Sequence, residues 1–153
     1  MSGLSAGEQL TGEHHQIDRG MDAALNGQGG HAELLAALRL LREHIFREEV
    51  VLFPPLADEG LAMPIFVMKR EHGLMWPLIR RLEADCQAGM DLASLRNGIL
   101  DLSQQLAIHN SKEEQIIYSA ADRLNASNTD WDLERELDRV DMPDDWNCAM
   151  VAR

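Results

Sequence analysis

The chain consists of long stretches with helical periodicity, separated by short breaks rich in glycine, proline and asparagine. Apolar side chains recur every three or four residues, as Leu34, Leu38 and Leu41 do, and no segment shows the strict alternation of a half-buried strand. The breaks fall at residues 26–30, 53–64, 88–91 and 125–128. We therefore predict an all-α fold: four amphipathic helices packed antiparallel as an up-down-up-down four-helix bundle.

The length suits one domain spanning residues 1–153, with a bundle core at about 8–124. The remainder, residues 125–153, is predicted to be a C-terminal extension. Its stretch from Asp130 to Val140 favours a short fifth helix, and the residues after Pro143 form a tail that Trp146 can dock onto the bundle. Pro77 lies inside the third predicted helix, where it removes a backbone hydrogen bond and is expected to introduce a kink.

The chain is acidic, with 26 acidic against 14 basic residues and a net charge of −12. Such a surface repels phosphate backbones and anionic lipid headgroups, so we predict neither nucleic acid nor membrane as a partner. The first ten residues lack the basic and apolar regions of a secretion signal, which favours a cytoplasmic location. A monomer or a homodimer is expected, the latter through the region around Trp131 and Trp146.

An internal repeat carries the candidate chemistry. Residues 44–53 and 109–118 both read histidine, three residues, two glutamates and an apolar run that ends in an aromatic residue. Each is preceded by a Glu-His pair, at residues 13–14 and 71–72. Helices one and two therefore look like helices three and four, which predicts approximate two-fold symmetry in the bundle.

The helical phase turns one histidine of each helix toward the interior. Residues i and i+4 share a face, so Glu48 lies beside His44 and Glu113 beside His109. His15 is rotated by about 100° from the apolar stripe that contains its neighbour. The predicted interior polar residues are His14, His44, Glu48, His72, His109 and Glu113.

Burying these six groups costs several kcal/mol each unless something compensates them. One solution is mutual hydrogen bonding between protonated histidines and the glutamates. The other is metal binding, because imidazole nitrogen and carboxylate oxygen together suit iron, manganese or zinc. The repetition favours metal, since packing alone does not produce two matching sets of inward-facing histidine and glutamate.

The flanking residues are given simpler roles. Glu49 and Glu114 are rotated off the interior stripe, so we predict that they lie behind the ligands or at the surface. The apolar runs 50–53 and 115–118, which end in Phe53 and Tyr118, are interpreted as core. His31 begins a helix after a glycine-rich loop and is predicted to be exposed to solvent.

Taken together, these motifs over residues 10–120 resemble the hemerythrin family, specifically the bacterial HHE cation-binding domains. The resemblance implies an up-down bundle that holds two non-haem iron ions, bridged by oxygen or by carboxylates. It also implies imidazole ligands at His14, His44, His72 and His109, with Glu48 and Glu113 bridging the irons. Zinc or manganese is expected to bind in vitro.

The sequence departs from the oxygen-carrying members of that family. Those members have a second histidine one turn after the third-helix ligand, where this chain has Trp76. They also have aspartate five residues after the last histidine, where this chain has Glu113 at four. Four matched histidines leave coordination positions open on both metals, unless Asp18 or His15 supplies another ligand.

The resemblance implies a centre that interacts with oxygen, peroxide or nitric oxide, in stress response or redox chemistry. Bridging carboxylates and open positions favour activating a ligand over carrying it. Whether the chain is an enzyme stays open at this level. The alternatives are an iron- or oxygen-sensing or storage module without catalysis, and a metal-free or zinc-bound scaffold.

Overall fold

The computed structural model describes residues 3–128 and 131–151, and within these ranges it contains helices and no strands. The predicted all-α helical bundle is confirmed. The α-helices are α1 (Ala6–Leu25), α2 (His31–Arg47), α3 (Phe53–Leu56), α4 (Ala62–Gln87), α5 (Leu92–Lys112), α6 (Tyr118–Ser127) and α7 (Leu133–Arg139). Three π-helical turns connect them, namely π1 (Glu48–Leu52), π2 (Ala57–Leu61) and π3 (Glu113–Ile117).

Local sequence signals define the helix ends. At the start of α1, the Ser5 side chain accepts from the Glu8 backbone N–H, and the Glu8 carboxylate accepts from the Ser5 N–H in return. This reciprocal pair is a capping box, and it satisfies two backbone donors that the first turn would otherwise leave open. After α1 and α4 the chain turns through Gly27 and Gly89, both at positive φ, a conformation that glycine adopts without steric cost.

The core of the bundle is split into two apolar clusters by a layer of buried polar residues. One cluster contains Ile17, Ile45 and Met75, and the other contains Leu10, Leu52 and Met68. In α1, for example, His14 lies between a residue of the second cluster and a residue of the first. The polar layer is therefore enclosed along the bundle axis by apolar side chains on both sides.

The predicted break at residues 53–64 is mostly helical in the structure. Pro54 and Pro55 lie at the start of α3, directly after π1, and the backbone stays helical through both of them. Glu59, Gly60 and Leu61 depart from helical geometry, and Gly60 has φ +89°. The predicted loop is therefore wrong for most of its length, and the break is confined to residues 59–61, where glycine allows the positive φ. Pro77 does lie inside α4, and that helix nevertheless extends from Ala62 to Gln87.

The C-terminal extension returns to the bundle. Its short helix α7 is shorter than predicted, and the predicted start at Asp130 lies outside the described residues, as does Arg153. Trp146 docks the tail as predicted, with its ring edge-on to Phe46 at 5.1 Å and to Trp76 at 5.4 Å between centroids. Gly73 makes room for this tail, because a Cβ there would lie 1.8 Å from the carbonyl oxygen of Met150.

One helical stretch, His31–Gln87, passes a test for membrane spans based on length and composition alone. This is weak evidence, since core helices of soluble proteins pass the same test. The stretch is also interrupted by the non-helical backbone at Glu59 and Gly60. The expectation of no membrane partner stays a prediction.

Candidate metal centre

The six predicted residues converge on one site in the polar layer. Each side chain is at most 3% exposed. Two groups of donors form, and Glu48 and Glu113 belong to both. We name the group of His14, His44, Glu48 and Glu113 the first metal position, and the group of Glu48, His72, His109 and Glu113 the second, because each could hold an ion. Within each group the donor atoms lie within 4.8 Å of one another, which is the spacing of atoms that share one ion.

A π-helical turn begins at each of the two shared glutamates. π1 starts at Glu48 and π3 at Glu113, so both copies of the repeat have the same local distortion. Such turns insert one extra residue into a helix and are frequent at functional sites. The altered phase lets two consecutive glutamates face inward in π1, where Glu48 and Glu49 are both buried.

A second set of carboxylates surrounds the first. Because a carboxylate only accepts hydrogen bonds, the Nδ1–H of each histidine donates to its partner, which directs Nε2 toward the metal positions. Each glutamate comes from a neighbouring helical segment. The four pairs are His14–Glu114 at 2.8 Å, His44–Glu13 at 2.7 Å, His72–Glu49 at 2.7 Å and His109–Glu71 at 2.8 Å.

Two basic residues complete this outer set in a repeat-related way. Arg47 donates to Glu13, which also accepts from His44 one turn earlier in the chain. In the same way, Lys112 donates to Glu71, which also accepts from His109. Burial alone would raise the pKa of Glu13, but His44 and Arg47 outweigh it and lower that pKa to about 2. The carboxylate is therefore charged at neutral pH and remains an acceptor for His44.

Without metal, the interior groups form ion pairs. Burial alone would lower the pKa of His44, but the charge of Glu48 and hydrogen bonds with Glu13 and Glu48 raise it to about 10. Burial would raise the pKa of Glu113, yet the charge of His109 and its histidine hydrogen bonds hold it well below the usual range. The mutual-pairing alternative thus describes the metal-free protein, and a cation must displace these protons to bind.

Comparison with known proteins identifies the family of this site. A family model described as "Hemerythrin HHE cation binding domain" matches residues 5–121. The chain belongs to the hemerythrin HHE family. No curated protein and no solved structure gave a match. The HHE match covers both copies of the repeat. The family description and the two donor groups both indicate cation binding.

The residues present fit the cation of an HHE domain. Four buried atoms of the second metal position have no hydrogen-bond partner among the described residues: Glu48 Oε1, His72 Nε2, His109 Nε2 and Glu113 Oε2. They are close, with His72 Nε2 3.2 Å from Glu48 Oε1, but they are not aligned for hydrogen bonds. Buried ion pairs without aligned hydrogen bonds recover little of the cost of desolvation, and a shared cation with nitrogen and oxygen ligands would bind all four atoms directly.

Sequence reasoning missed the role of Tyr118 in this HHE domain. Its ring is buried as predicted, but its hydroxyl lies inside the first metal position and donates to Glu48 Oε2 at 2.5 Å. Burial and the charges of Glu113 and Glu48 raise its pKa well above the ordinary value, so the phenol is protonated in the metal-free protein. The available signal was the repeat itself, which aligns Tyr118 with Phe53.

The structure also separates the remaining candidates. His15 is exposed and Asp18 is half-buried, and neither belongs to the two donor groups found among the described residues. Glu49 and Glu114 lie behind the histidines, the first of the two roles predicted for them. The prediction for His31 was wrong in part, because the residue is half-buried, with Nε2 2.8 Å from the carbonyl oxygen of Met90 in the turn after α4.

Trp76 is buried and contacts the C-terminal tail. Its indole N–H donates to the side chain of Asn147 in the docked tail at 3.0 Å. Tail residue Ala149 also reaches the outer carboxylates, since its N–H donates to Glu49 at 2.9 Å. The residue at the place of the extra histidine in oxygen carriers thus serves tail docking in this HHE domain.

Proposed function

We propose that this HHE protein holds two non-haem iron ions, and that the pair binds a small ligand such as oxygen, peroxide or nitric oxide. The observation that carries the proposal is the pair of adjacent donor groups that share Glu48 and Glu113. A carboxylate common to both groups suits a pair of ions, because its two oxygens can bind one ion each.

The donor set supports ligand binding over a purely structural site. Each position has two histidines and two carboxylates, and non-haem iron sites with histidine and carboxylate ligands use their open positions for oxygen chemistry. Apolar clusters enclose the layer on both sides, which keeps bulk water from competing with a small ligand. Reversible oxygen carriage is not the favoured use, because Trp76 replaces a carrier's histidine and faces the tail.

Metal analysis after anaerobic reconstitution with ferrous iron tests this proposal. We expect two irons per chain, and new visible absorption when air, peroxide or nitric oxide is admitted. The paired variants His14→Ala/His44→Ala and His72→Ala/His109→Ala should each keep about one iron, because each pair serves one position. A wild-type protein that takes up no iron, or that loads iron but responds to none of the three ligands, would overturn the proposal.

A second candidate function, sensing without catalysis, is favoured by one contact. Glu49 uses one oxygen to accept from His72 and the other to accept from the backbone N–H of Ala149. A metal that binds His72 and shifts its ring would therefore also shift Glu49, the carboxylate that accepts from the tail. This link can convert metal or ligand binding into release or tightening of the tail.

Limited proteolysis of the tail distinguishes a sensor from a purely catalytic centre. In a sensor, cleavage near Asn147 should change severalfold between the metal-free and metal-loaded forms. Gly73→Val, which clashes with Met150, should expose the tail in both forms and abolish the difference. Gly12→Val is the matched control, since a Cβ at Gly12 meets nothing within 4 Å. Equal cleavage of wild type with and without metal would exclude tail-based sensing.

A further inference from the structure

We infer that Tyr118 is a fifth protein ligand of the ion at the first metal position, so the small ligand binds at the second. The inference rests on the proposed function, which it deepens by making the two ions unequal. Three observations support it. The Tyr118 hydroxyl lies among the first-position donors, the other repeat has Phe53 at the matching place, and the buried donor atoms without a hydrogen bond lie at the second position.

The Tyr118 oxygen lies at ligand spacing from every donor residue of the first position. It is 2.5 Å from Glu48 Oε2, 3.0 Å from His14 Nε2 and 3.1 Å from His44 Nε2. It is also 3.2 Å from Glu113 Oε1. Nitrogen and oxygen ligands lie about 2.1 Å from a metal such as zinc, so two ligands at right angles are about 3 Å apart. The phenol oxygen therefore has the spacing of one more ligand.

The repeat places a different residue at the other position. Phe53 aligns with Tyr118, and its ring stacks on His72 at 5.8 Å, much as Tyr118 stacks on His14 at 5.5 Å. The two aromatic rings therefore pack alike, but only Tyr118 brings an oxygen. The second position keeps four protein donors, whereas the first has five.

The unpaired atoms follow the same division. Among the described residues, the four buried atoms of the cluster that make no hydrogen bond all belong to the second position, where they form ion pairs with one another. At the first position, the hydroxyl of Tyr118 makes hydrogen-bond contacts with His14, His44 and both glutamates. The phenol thus adds an oxygen among the first-position donors, and the repeat-related Phe53 supplies none at the second.

Ligation requires a simple proton balance. The O–H bond of Tyr118 breaks, an oxygen–metal bond forms, and the proton leaves to solvent without any change of oxidation state. Tyr118 borders a surface cleft of about 430 Å³ between α1 and α6, together with Glu114 and small residues such as Gly7 and Ser119.

Spectroscopy of the single tyrosine tests the inference, because Tyr118 is the only tyrosine in the chain. Titration with zinc should produce the ultraviolet difference signal of one phenolate per chain. The ferric protein should show a phenolate-to-iron band in the visible region, confirmed by tyrosinate vibrations in its resonance Raman spectrum. In Tyr118→Phe both signals should vanish, and one of the two metals should bind about 10–100-fold more weakly.

Phe53→Tyr is the matched variant at the repeat-related place. It should add a second phenolate signal and weaken azide binding to the ferric centre at least tenfold, since it fills the position left open. A wild-type protein that loads two metals without a phenolate signal would overturn the inference while leaving the proposed function intact. A wild-type protein that binds no metal would overturn both, and neither outcome depends on whether a variant folds.

Discussion

Replacing Glu113 with alanine is expected to empty both metal positions, whereas replacing the adjacent Glu114 should weaken only one. Glu113 is fully buried and belongs to both donor groups, with Oε2 3.1 Å from His109 Nε2 and Oε1 3.2 Å from His14 Nε2. Its removal deletes one donor from each ion. Glu114 touches only the Nδ1 side of His14, so we expect Glu114→Ala to lower affinity at the first position about 10–100-fold.

Metal content after dialysis, together with far-ultraviolet circular dichroism, measures this difference. The dichroism matters because Glu113→Ala leaves buried histidines without their acceptor, which costs about 1–3 kcal/mol per unpaired group. Glu113→Gln keeps the volume and a single oxygen acceptor, and it should also lose metal while folding normally. A Glu113→Gln protein that retains two metals would show that this carboxylate does not bridge, and the two groups would then be separate sites.

The repeat made most of this centre predictable from sequence. The helical period distinguishes His14 from His15, because neighbouring residues point about 100° apart and only His14 is in line with the apolar stripe. The structure agrees, with His14 buried and His15 exposed. The family and the all-α bundle were predicted correctly for the same reason, since periodicity and repeated polar residues are visible in the sequence without knowledge of tertiary contacts.

Contacts between helices were less predictable. Helical periodicity assumes a constant turn, so it placed Glu49 off the interior face, and it could not foresee that a π-turn starts at Glu48. The pairing of Glu13 with His44 and of Glu71 with His109 depends on the packing of separate helices, which no pattern along one helix encodes. Tyr118 was missed because an aromatic residue in an apolar run is normally core, and only its hydroxyl differs from Phe53.

The C-terminal tail shows a further limit. Trp146 signalled docking, because a large aromatic residue in a polar tail gains by burial. Its partners Phe46 and Trp76, and the space left by Gly73, are distant in sequence and become neighbours only in the fold. The contact that matters for function, from Ala149 to Glu49, uses a backbone N–H and has no sequence signature.

The metal-free protein is expected to lose stability as pH rises from 6.5 toward 10, and metal should reverse this trend. The pKa of His44 is raised from its ordinary 6.5 to about 10 in the fold. A raised pKa stabilises the fold fully below pH 6.5, and this contribution disappears as pH rises through about 10. The pKa values of His72 and His109 are also raised, so their contributions are lost in the same direction. One pKa unit corresponds to about 1.4 kcal/mol, which makes the loss on the order of a few kcal/mol.

The lower limit of the stable range comes from the partner carboxylate. The pKa of Glu13 is lowered from 4.5 to about 2, so its contribution is present above pH 4.5 and is lost as pH falls toward 2. The pair of Glu13 and His44 contributes to both pKa shifts, so the two stability contributions overlap and are not added. The metal-free protein should therefore be most stable between pH 4.5 and 6.5.

Metal inverts the slope because it competes with protons for the same imidazoles. Zinc held by His44, His72 and His109 would displace their protons, so its affinity would rise with pH and its stabilisation of the fold would grow accordingly. Urea midpoints measured with chelator should fall between pH 6.5 and 9, and midpoints with excess zinc should rise relative to them. His44→Gln should flatten the chelator curve, whereas His15→Gln, an exposed neighbour of the site, should leave both curves unchanged. Parallel curves with and without zinc would mean that the protons and the metal do not share these histidines.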